Sequence, residues 1–473
     1  MVFSTYRFIF AFLPVALAGY WLAARLFGRT AAKIWLVMAS LYFYAQGSLT
    51  FLPLLVGTLV FNYGMMRLLS RQEKGSTGAK LVLTAALLEN VGLLLYFKYF
   101  NFIIDNINLL LGTALPQRDI PLPLGISFYT FLLIGSVVDL YRDETKASSF
   151  LDFAAFVTFF PQLIAGPISH HEDTVPQFSR PGPLSLDSRS VMLAMFLFSL
   201  GCAEKILIAD PLIAHAQRFY GGTGGTGFYA AWGGVIAYTF AYYFDLSGYA
   251  NMALALGLLL GIRLPVNFDS PYKALDFADF WRRWNITVSR FFYDYIYRSI
   301  FRFGARIGRM MLAVMATFLV SGLWHGVGWH YILWGAVNGI FVCVANLMTL
   351  KRWRIPAPLA WAATFFLMML TRVLFDSASV TQAVTVYKSL LDLRPLVANA
   401  GGFLAQGLAY VRGNPGAMLI AIIAAAISFF GPSTRQIIDG FQPKWYHAAL
   451  AAALLTVSLF RMSGVSTFLY FQF

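Results

Sequence analysis

Charge is the first thing this sequence is short of. Only 12% of its 473 residues are Asp, Glu, Lys or Arg, about half the usual share in a soluble globular domain. The hydrophobic fraction is 59% and the mean hydropathy +0.67. Together these exclude an ordinary soluble enzyme. The two cysteines, Cys202 and Cys343, lie in apolar stretches and provide neither a disulfide framework nor a thiolate metal site. Short segments of alternating polarity are missing, which argues against a transmembrane barrel. There is no internal repeat of the kind many transporters carry. No water-soluble catalytic domain is expected among these residues. The glycine-rich "YGGTGGTG", 220–227, lacks the lysine of a phosphate loop and reads as a flexible connection between spans. Histidines number six. The adjacent pair in "SHHED", 169–173, has no third ligand spaced to meet it, so no metal site is expected.

Long apolar runs are what the chain does have. They recur from end to end at roughly 18–22 residues, enough to cross about 30 Å of hydrocarbon. Candidate spans are 7–27, 32–48, 51–69, 80–97, 124–141, 189–209, 228–244, 246–262, 310–325, 329–350, 357–376, 413–430 and 445–461. One or two of these are expected to be short, tilted or re-entrant. The fold class is therefore all-α: a polytopic integral membrane protein of roughly 11 or 12 transmembrane helices, with re-entrant and interfacial helices besides, in a single domain over 1–473. The N-terminal run contains "ALA", which looks like a signal-peptide cleavage site, but it reads as a retained first span because further spans follow. "SFLDFAAFVTFFPQLIAGPI", 149–168, is apolar yet ends in Pro161, Gly166 and Pro167. A helix does not continue cleanly through these, so this segment reads as broken or re-entrant. "VTQAVTVYKSLLDL", 380–393, reads as an interfacial amphipathic helix.

The net charge of +14 points to Lys and Arg in cytoplasmic loops, not to nucleic acid. Arg25, Arg29 and Lys33 follow the first span, and Arg67, Arg71, Lys74 and Lys80 follow the third. Arg142 and Lys146 follow the span at 124–141. This alternation puts the N-terminus outside. The densest basic region, 263–309, holds Arg263, Lys273, Arg282, Arg283, Arg290, Arg298, Arg302, Arg306 and Arg309. It is expected on the cytoplasmic face, as is "KRWR" at 351–354.

Two stretches could carry chemistry. "SGLWHGVGWHYILWG", 321–335, places His325 and His330 in an apolar setting, where a histidine needs a partner or a task. His325 lies about 15 residues from the basic end of its span, roughly 23 Å at 1.5 Å per residue, well inside the membrane. It reads either as a proton acceptor or as a histidine bonded across helices. His330, off the His325 face, favours the structural role. In "FDSPYKALDFADFWRRWNITVSRFFYDYIYRSI", 268–300, aromatic and basic residues interleave. Trp281 and Trp284 would bury a face, while Arg282, Arg283 and Arg290 suit phosphates and Asn285 can donate a hydrogen bond. An interfacial helix against lipid headgroups is the competing reading.

Five stretches together resemble the membrane-bound O-acyltransferases, specifically their bacterial alginate O-acetyltransferase-like branch. They are "LPLGISFYTF" at 122–131, "FFPQLIAGPI" at 159–168, the block from "FDLSGYANMALALG" to "FFYDYIY" at 244–297, the stretch at 321–335, and "FLYFQF" at 468–473. The resemblance implies a helical bundle thinned at its centre, with a cytoplasmic tunnel meeting an outer funnel. His325, the histidine of the family's "WHG" motif, would be the catalytic base at their junction. Trp281, Arg282, Arg283, Trp284, Arg290, Trp324 and Gln162 are the substrate-binding candidates. The donor would be acetyl-coenzyme A or an acyl-carrier thioester, with no tightly bound cofactor. The acceptor would be an envelope or extracellular polysaccharide, reached with a periplasmic or membrane-anchored acetyltransferase partner, at the bacterial inner membrane. One departure stands out: the branch usually reads "RWHIS" where this chain reads "RWNIT", so Asn285 replaces a histidine and would orient or donate, not act as a base. D-alanyl transfer to a teichoic acid-type polymer, a transporter or flippase, and a scaffold for polysaccharide export are the alternatives.

Overall fold

A computed structural model describes residues 1–179, 186–301, 306–462 and 468–469. Every regular element among them is helical, the arrangement that satisfies backbone groups within one segment where water is absent. Seven of the helices are long and apolar enough to cross a membrane: Arg7–Ser48, Leu52–Leu69, Thr77–Leu111, Ser188–Tyr220, Ile307–His325, Trp329–Leu350 and Ala357–Asp376. Ala400–Gly413 and Pro415–Phe430 form a pair bent by 89°, an eighth span if the two count as one. The chain is a multi-pass membrane protein.

These are fewer than the roughly 11 or 12 spans that apolar run length suggests, for identifiable reasons. The expected spans at 228–244 and 246–262 are one continuous helix, Phe228–Leu259. The run at 124–141 forms a helix of only 16 residues, Ile126–Tyr141, and 445–461 one of 17, Trp445–Arg461. Conversely, Arg7–Ser48 contains two of the expected spans. Its backbone leaves the helical region at Gly28 (φ 81°, ψ −178°), which a residue with a Cβ adopts only with strain. Phe12 then meets Phe43 at 5.5 Å, and the Trp35 indole donates to the Ala16 carbonyl at 3.0 Å. Both pairings join one arm to the other across Gly28. The two arms are therefore antiparallel, each about 20 residues long, the length that hydrocarbon requires.

The described residues divide into two compact units. The first comprises Met1–Ser199, Tyr249–Pro265 and Gln442–Ala451. Its core gathers Phe8, Phe12, Phe43 and Phe160, with Phe12 edge-on to Phe160 at 5.3 Å. Polar groups tie helices together where lipid supplies no hydrophobic drive: Asn90 donates to Asn62 at 2.7 Å, and Asn62 to Glu89 at 3.1 Å. Lys33 pairs with Asp152 at 2.5 Å.

The broken segment at 149–168 is also in this unit. Its helix Phe150–Thr158 stops at Phe159 (ψ 104°), and one further turn, Phe160–Leu163, follows with Pro161 inside it. The break frees backbone groups that nearby residues then occupy. Phe160 N–H donates to Ser40 Oγ at 3.2 Å. Gln162 Nε2 donates to the Phe156 carbonyl at 2.6 Å, and Ser169 Oγ donates to Gln162 Oε1 at 2.6 Å. Both ends of the Gln162 amide thus brace the break.

The second unit comprises Leu200–Gly248, Val266–Phe441 and Ala452–Phe473. Lys205 and Asp245 are fully buried within it, 2.6 Å apart, and Lys205 also meets Asp210 at 2.8 Å. Asp245 accepts the Leu469 N–H at 2.9 Å, and the ammonium lies 4.5 Å from the Phe468 ring. Of "FLYFQF", only Phe468 and Leu469 are described; Tyr470–Phe473, like Arg302 of the basic region, lie outside the described residues.

Asp245→Ala would take from Lys205 its buried carboxylate partner at 2.6 Å. It is expected to destabilise the protein by about 3–5 kcal/mol, read as earlier loss of monodisperse protein on heating in detergent. Lys205→Met with Asp245→Leu should be milder than Asp245→Ala. Gln162→Leu, which strands the Phe156 carbonyl, should lower stability by about 1–3 kcal/mol in the same assay.

Candidate active site

The histidine-bearing stretch folds as a helical hairpin. Ile307–His325 runs up to His325, an extended bend follows at Gly326 and Gly328, and Trp329–Leu350 returns. Two glycines let the helices touch backbone to backbone. A Cβ at Gly322 would stand 2.4 Å from the Tyr331 carbonyl oxygen, and one at Gly335 would stand 2.3 Å from that of Phe318. Any side chain at either position drives the helices apart. His325, the last helical residue, is only 7% exposed. Its ring lies 4.7 Å from Trp324, 5.1 Å from Trp334 and 5.1 Å from Phe375. An aromatic box thus sets its orientation.

Asn285 reaches the same site from another element. It stands between the short helices Phe277–Arg283 and Ile286–Phe292 in the left-handed region, φ 43° and ψ 54°. Asparagine and histidine are both enriched there among non-glycine residues, so the backbone tolerates either at this position of "RWNIT". Asn267 holds the turn. Its carbonyl accepts the Ile286 N–H at 2.9 Å, and its side-chain oxygen accepts the Thr287 N–H at 3.1 Å and hydroxyl at 3.0 Å.

His325 and Asn285 line one cavity of about 530 Å³, within the range of small-molecule sites. Its wall is chiefly aromatic and aliphatic, from Trp281, Trp284, Phe292, Tyr293, Val314 and Phe318. Two arginines also line it, Arg282 and Arg290, whose side chains are 70% and 46% exposed. Arg290 leans toward Asp294 at 3.6 Å. The cavity thus joins an apolar interior, a histidine, an amide and two solvent-exposed arginines.

The other sequence candidates are placed differently. Arg283 bonds locally, to the Asp279 carboxylate at 3.0 Å and the Asp269 carbonyl at 3.4 Å. Trp324 is buried between His325 and Phe292 and supports the wall from behind. Gln162 belongs to the first unit, engaged at the break described above. His330 is buried against Tyr331 at 4.2 Å and is not on the cavity wall. The "SHHED" histidines also serve locally. His170 faces Asp139 at 3.7 Å. His171 lies within hydrogen-bond distance of the Thr145 hydroxyl, 2.8 Å, and the Ser148 hydroxyl, 3.2 Å. Burial pushes the His171 imidazole down to about 4, against a smaller opposing pull from Asp139, so it is neutral at physiological pH. Among the described residues, no three His, Cys, Asp or Glu side chains gather as a metal would need.

Sequence reasoning passed over several residues. Phe375 and Trp334 box the His325 ring, and Asn267 braces Asn285. Arg372 and Asp376 form a buried pair at 2.6 Å, the guanidinium 3.9 Å from the Tyr242 ring. Asn338 is 1% exposed in mid-helix. The signal for the last three was a polar or charged group inside an apolar span.

Comparison with known proteins places the chain in a family. The family model for membrane-bound O-acyltransferases matches residues 36–376. The peptidoglycan O-acetyltransferase of Helicobacter pylori is 35% identical over all of this chain and 98% of its own length. The probable alginate O-acetylase AlgI of Pseudomonas aeruginosa is 36% identical over 83% of this chain and 75% of its own. The teichoic acid D-alanyltransferase of Streptococcus thermophilus is 29% identical over 48% of this chain and 58% of its own. With a family model matched across the helices that carry both His325 and Asn285, and relatives of this extent, the chain belongs to the membrane-bound O-acyltransferase family and is an acyltransferase.

Proposed function

We propose that this enzyme moves an acetyl group from a cytoplasmic thioester across the bacterial inner membrane toward hydroxyls of an envelope or extracellular polysaccharide. The observation that carries the reading is the meeting of His325 and Asn285 on one cavity that also receives Arg282 and Arg290. An apolar cleft with cations at its exposed parts suits a donor with an acyl thioester at one end and phosphates at the other, as in acetyl-coenzyme A. Bidentate guanidinium groups suit phosphate. An acyl-carrier thioester presents the same arm and the same acyl group. Trp281 and Trp284 would flank that arm.

In this mechanism His325 removes the proton of the acceptor hydroxyl as its oxygen attacks the thioester carbonyl. The carbon–oxygen bond forms and the carbon–sulfur bond breaks. His325 then returns the proton to the departing sulfur. A positioned base typically supplies about 10²–10⁴-fold. The Asn285 amide would donate to the developing oxyanion, where one lost donor typically costs about 10²–10³-fold. The polysaccharide acceptor is suggested by the printed activities of the peptidoglycan and alginate relatives. A periplasmic or membrane-anchored acetyltransferase partner would complete delivery to polymer. D-alanyl transfer is the second reading. The teichoic acid relatives favour it, but they match less than half of this chain.

Purified protein in detergent should release free thiol from acetyl-coenzyme A. His325→Ala should lower that release by about 10²–10⁴-fold while eluting as folded protein; equal release by both would remove His325 from the chemistry. Arg282→Ala with Arg290→Ala should raise KM for acetyl-coenzyme A about tenfold and leave KM for S-acetylpantetheine, which lacks the phosphates, unchanged. Equal rises for both donors would mean that the arginines do not read phosphate.

A further inference from the structure

His325 borders a second, much smaller cavity of about 20 Å³. Trp281, Trp284 and His325 line both cavities, so these three side chains are the partition between them. The small one is otherwise walled by residues such as Tyr242, Asn338, Thr371 and Arg372. Its volume exceeds the roughly 10–15 Å³ that one water requires and is too small for a sugar ring.

Trp281 and Asn338, both on its wall, each carry a buried polar atom without a hydrogen-bond partner among the described residues, Trp281 Nε1 and Asn338 Oδ1. The orientation of the Asn338 amide follows from its contact. Its Nδ2 donates to the Trp334 carbonyl at 2.8 Å, and a carbonyl can only accept, so the oxygen is the end left over. An indole N–H only donates and an amide oxygen only accepts. Buried groups of this kind are rarely left unsatisfied without a reason. One small group answers both, accepting from Trp281 and donating to Asn338: a hydroxyl. An ammonium lacks the acceptor and a carboxylate lacks the donor. The nearby Arg372 charge is already matched by Asp376 at 2.6 Å, so the cavity does not call for an anion.

We propose that this cavity is the hydroxyl subsite of the enzyme, in which Asn338 Oδ1 and Trp281 Nε1 hold one hydroxyl group against His325, where the two cavities adjoin. The inference rests on the acyl-transfer reading above and extends it. Asn338 is then a positioning residue for the attacking oxygen. The subsite admits the oxygen of a single alcohol, or a water in its place, and that oxygen surrenders its proton to His325 as it attacks. Its size sets a specificity: a hydroxyl on a projecting methylene enters more easily than one flanked by ring substituents.

The test has a structural and a kinetic arm. A structure of the purified protein at a resolution that reveals water should contain an ordered oxygen within about 3 Å of both Asn338 Oδ1 and Trp281 Nε1, absent in Asn338→Leu. A dry cavity in the wild type overturns the proposal whether or not the protein is active. In the kinetic arm, acetyl transfer from acetyl-coenzyme A is followed to water and to a methyl glycoside. Asn338→Leu should lower transfer about tenfold with KM for acetyl-coenzyme A unchanged. Trp281→Phe should lower it too, and the double variant should fall little below the weaker single variant, since both atoms hold one ligand. A loss for the glycoside alone identifies a sugar hydroxyl as occupant, and a loss for water alone identifies a hydrolytic water. Effects of the two substitutions that multiply, or a loss that appears only as raised KM for the donor, overturn it. Failure of the wild type to cleave acetyl-coenzyme A at all would instead count against the acyl-transfer reading, with the structural arm still deciding the subsite.

Discussion

The backbone-to-backbone contact between Ile307–His325 and Trp329–Leu350 is the constraint on which the site depends. In a membrane, apolar side chains gain little by leaving lipid for protein, so helices hold together by close packing and polar contacts. Gly322 and Gly335 permit that packing, because a Cβ at either would collide with a carbonyl of the opposite helix. The contact places Trp334 beside His325 and turns the imidazole into an aromatic box completed by Phe375. A histidine set at the end of a helix, with an extended bend immediately after it, would otherwise have wide rotational freedom.

A second constraint, the need to satisfy backbone groups away from water, explains features that look like irregularities. The helix that stops at Phe159 transfers its freed groups to Ser40 and Gln162. The turn at Asn285 transfers its own to Asn267. In the first case a glutamine is engaged as a brace. In the second the turn delivers an amide to a cavity. The same chemistry therefore serves structure in one unit and exposes a functional group in the other.

The helical class, the apolar runs, the break after Phe159 and the candidacy of His325 and Asn285 were legible in the sequence. Each depends on local composition: a run of apolar residues, a proline, a histidine where histidine is expensive. Span number was not. A helix such as Phe228–Leu259 reads as two runs because Asp245 interrupts the hydrophobic pattern, yet that carboxylate is compensated by Lys205 and the helix passes straight through. The reversal at Gly28 hides two arms in one helical stretch, since only the φ and ψ of that glycine distinguish a turn from continuation.

The sequence alone determined that this chain lives in a membrane, that it is helical, and that one histidine and one asparagine sit in motifs matching an acyltransferase, because these follow from composition and from short contiguous patterns. Only the tertiary structure decided which side chains share a wall. Arg282 lines the large cavity and its neighbour Arg283 does not, and Asn338, just beyond the stretch at 321–335, borders the small one. The reason is geometric. Adjacent residues on a helix point in different directions, and convergence of residues far apart in the chain is set by how helices pack, not by what any one of them contains.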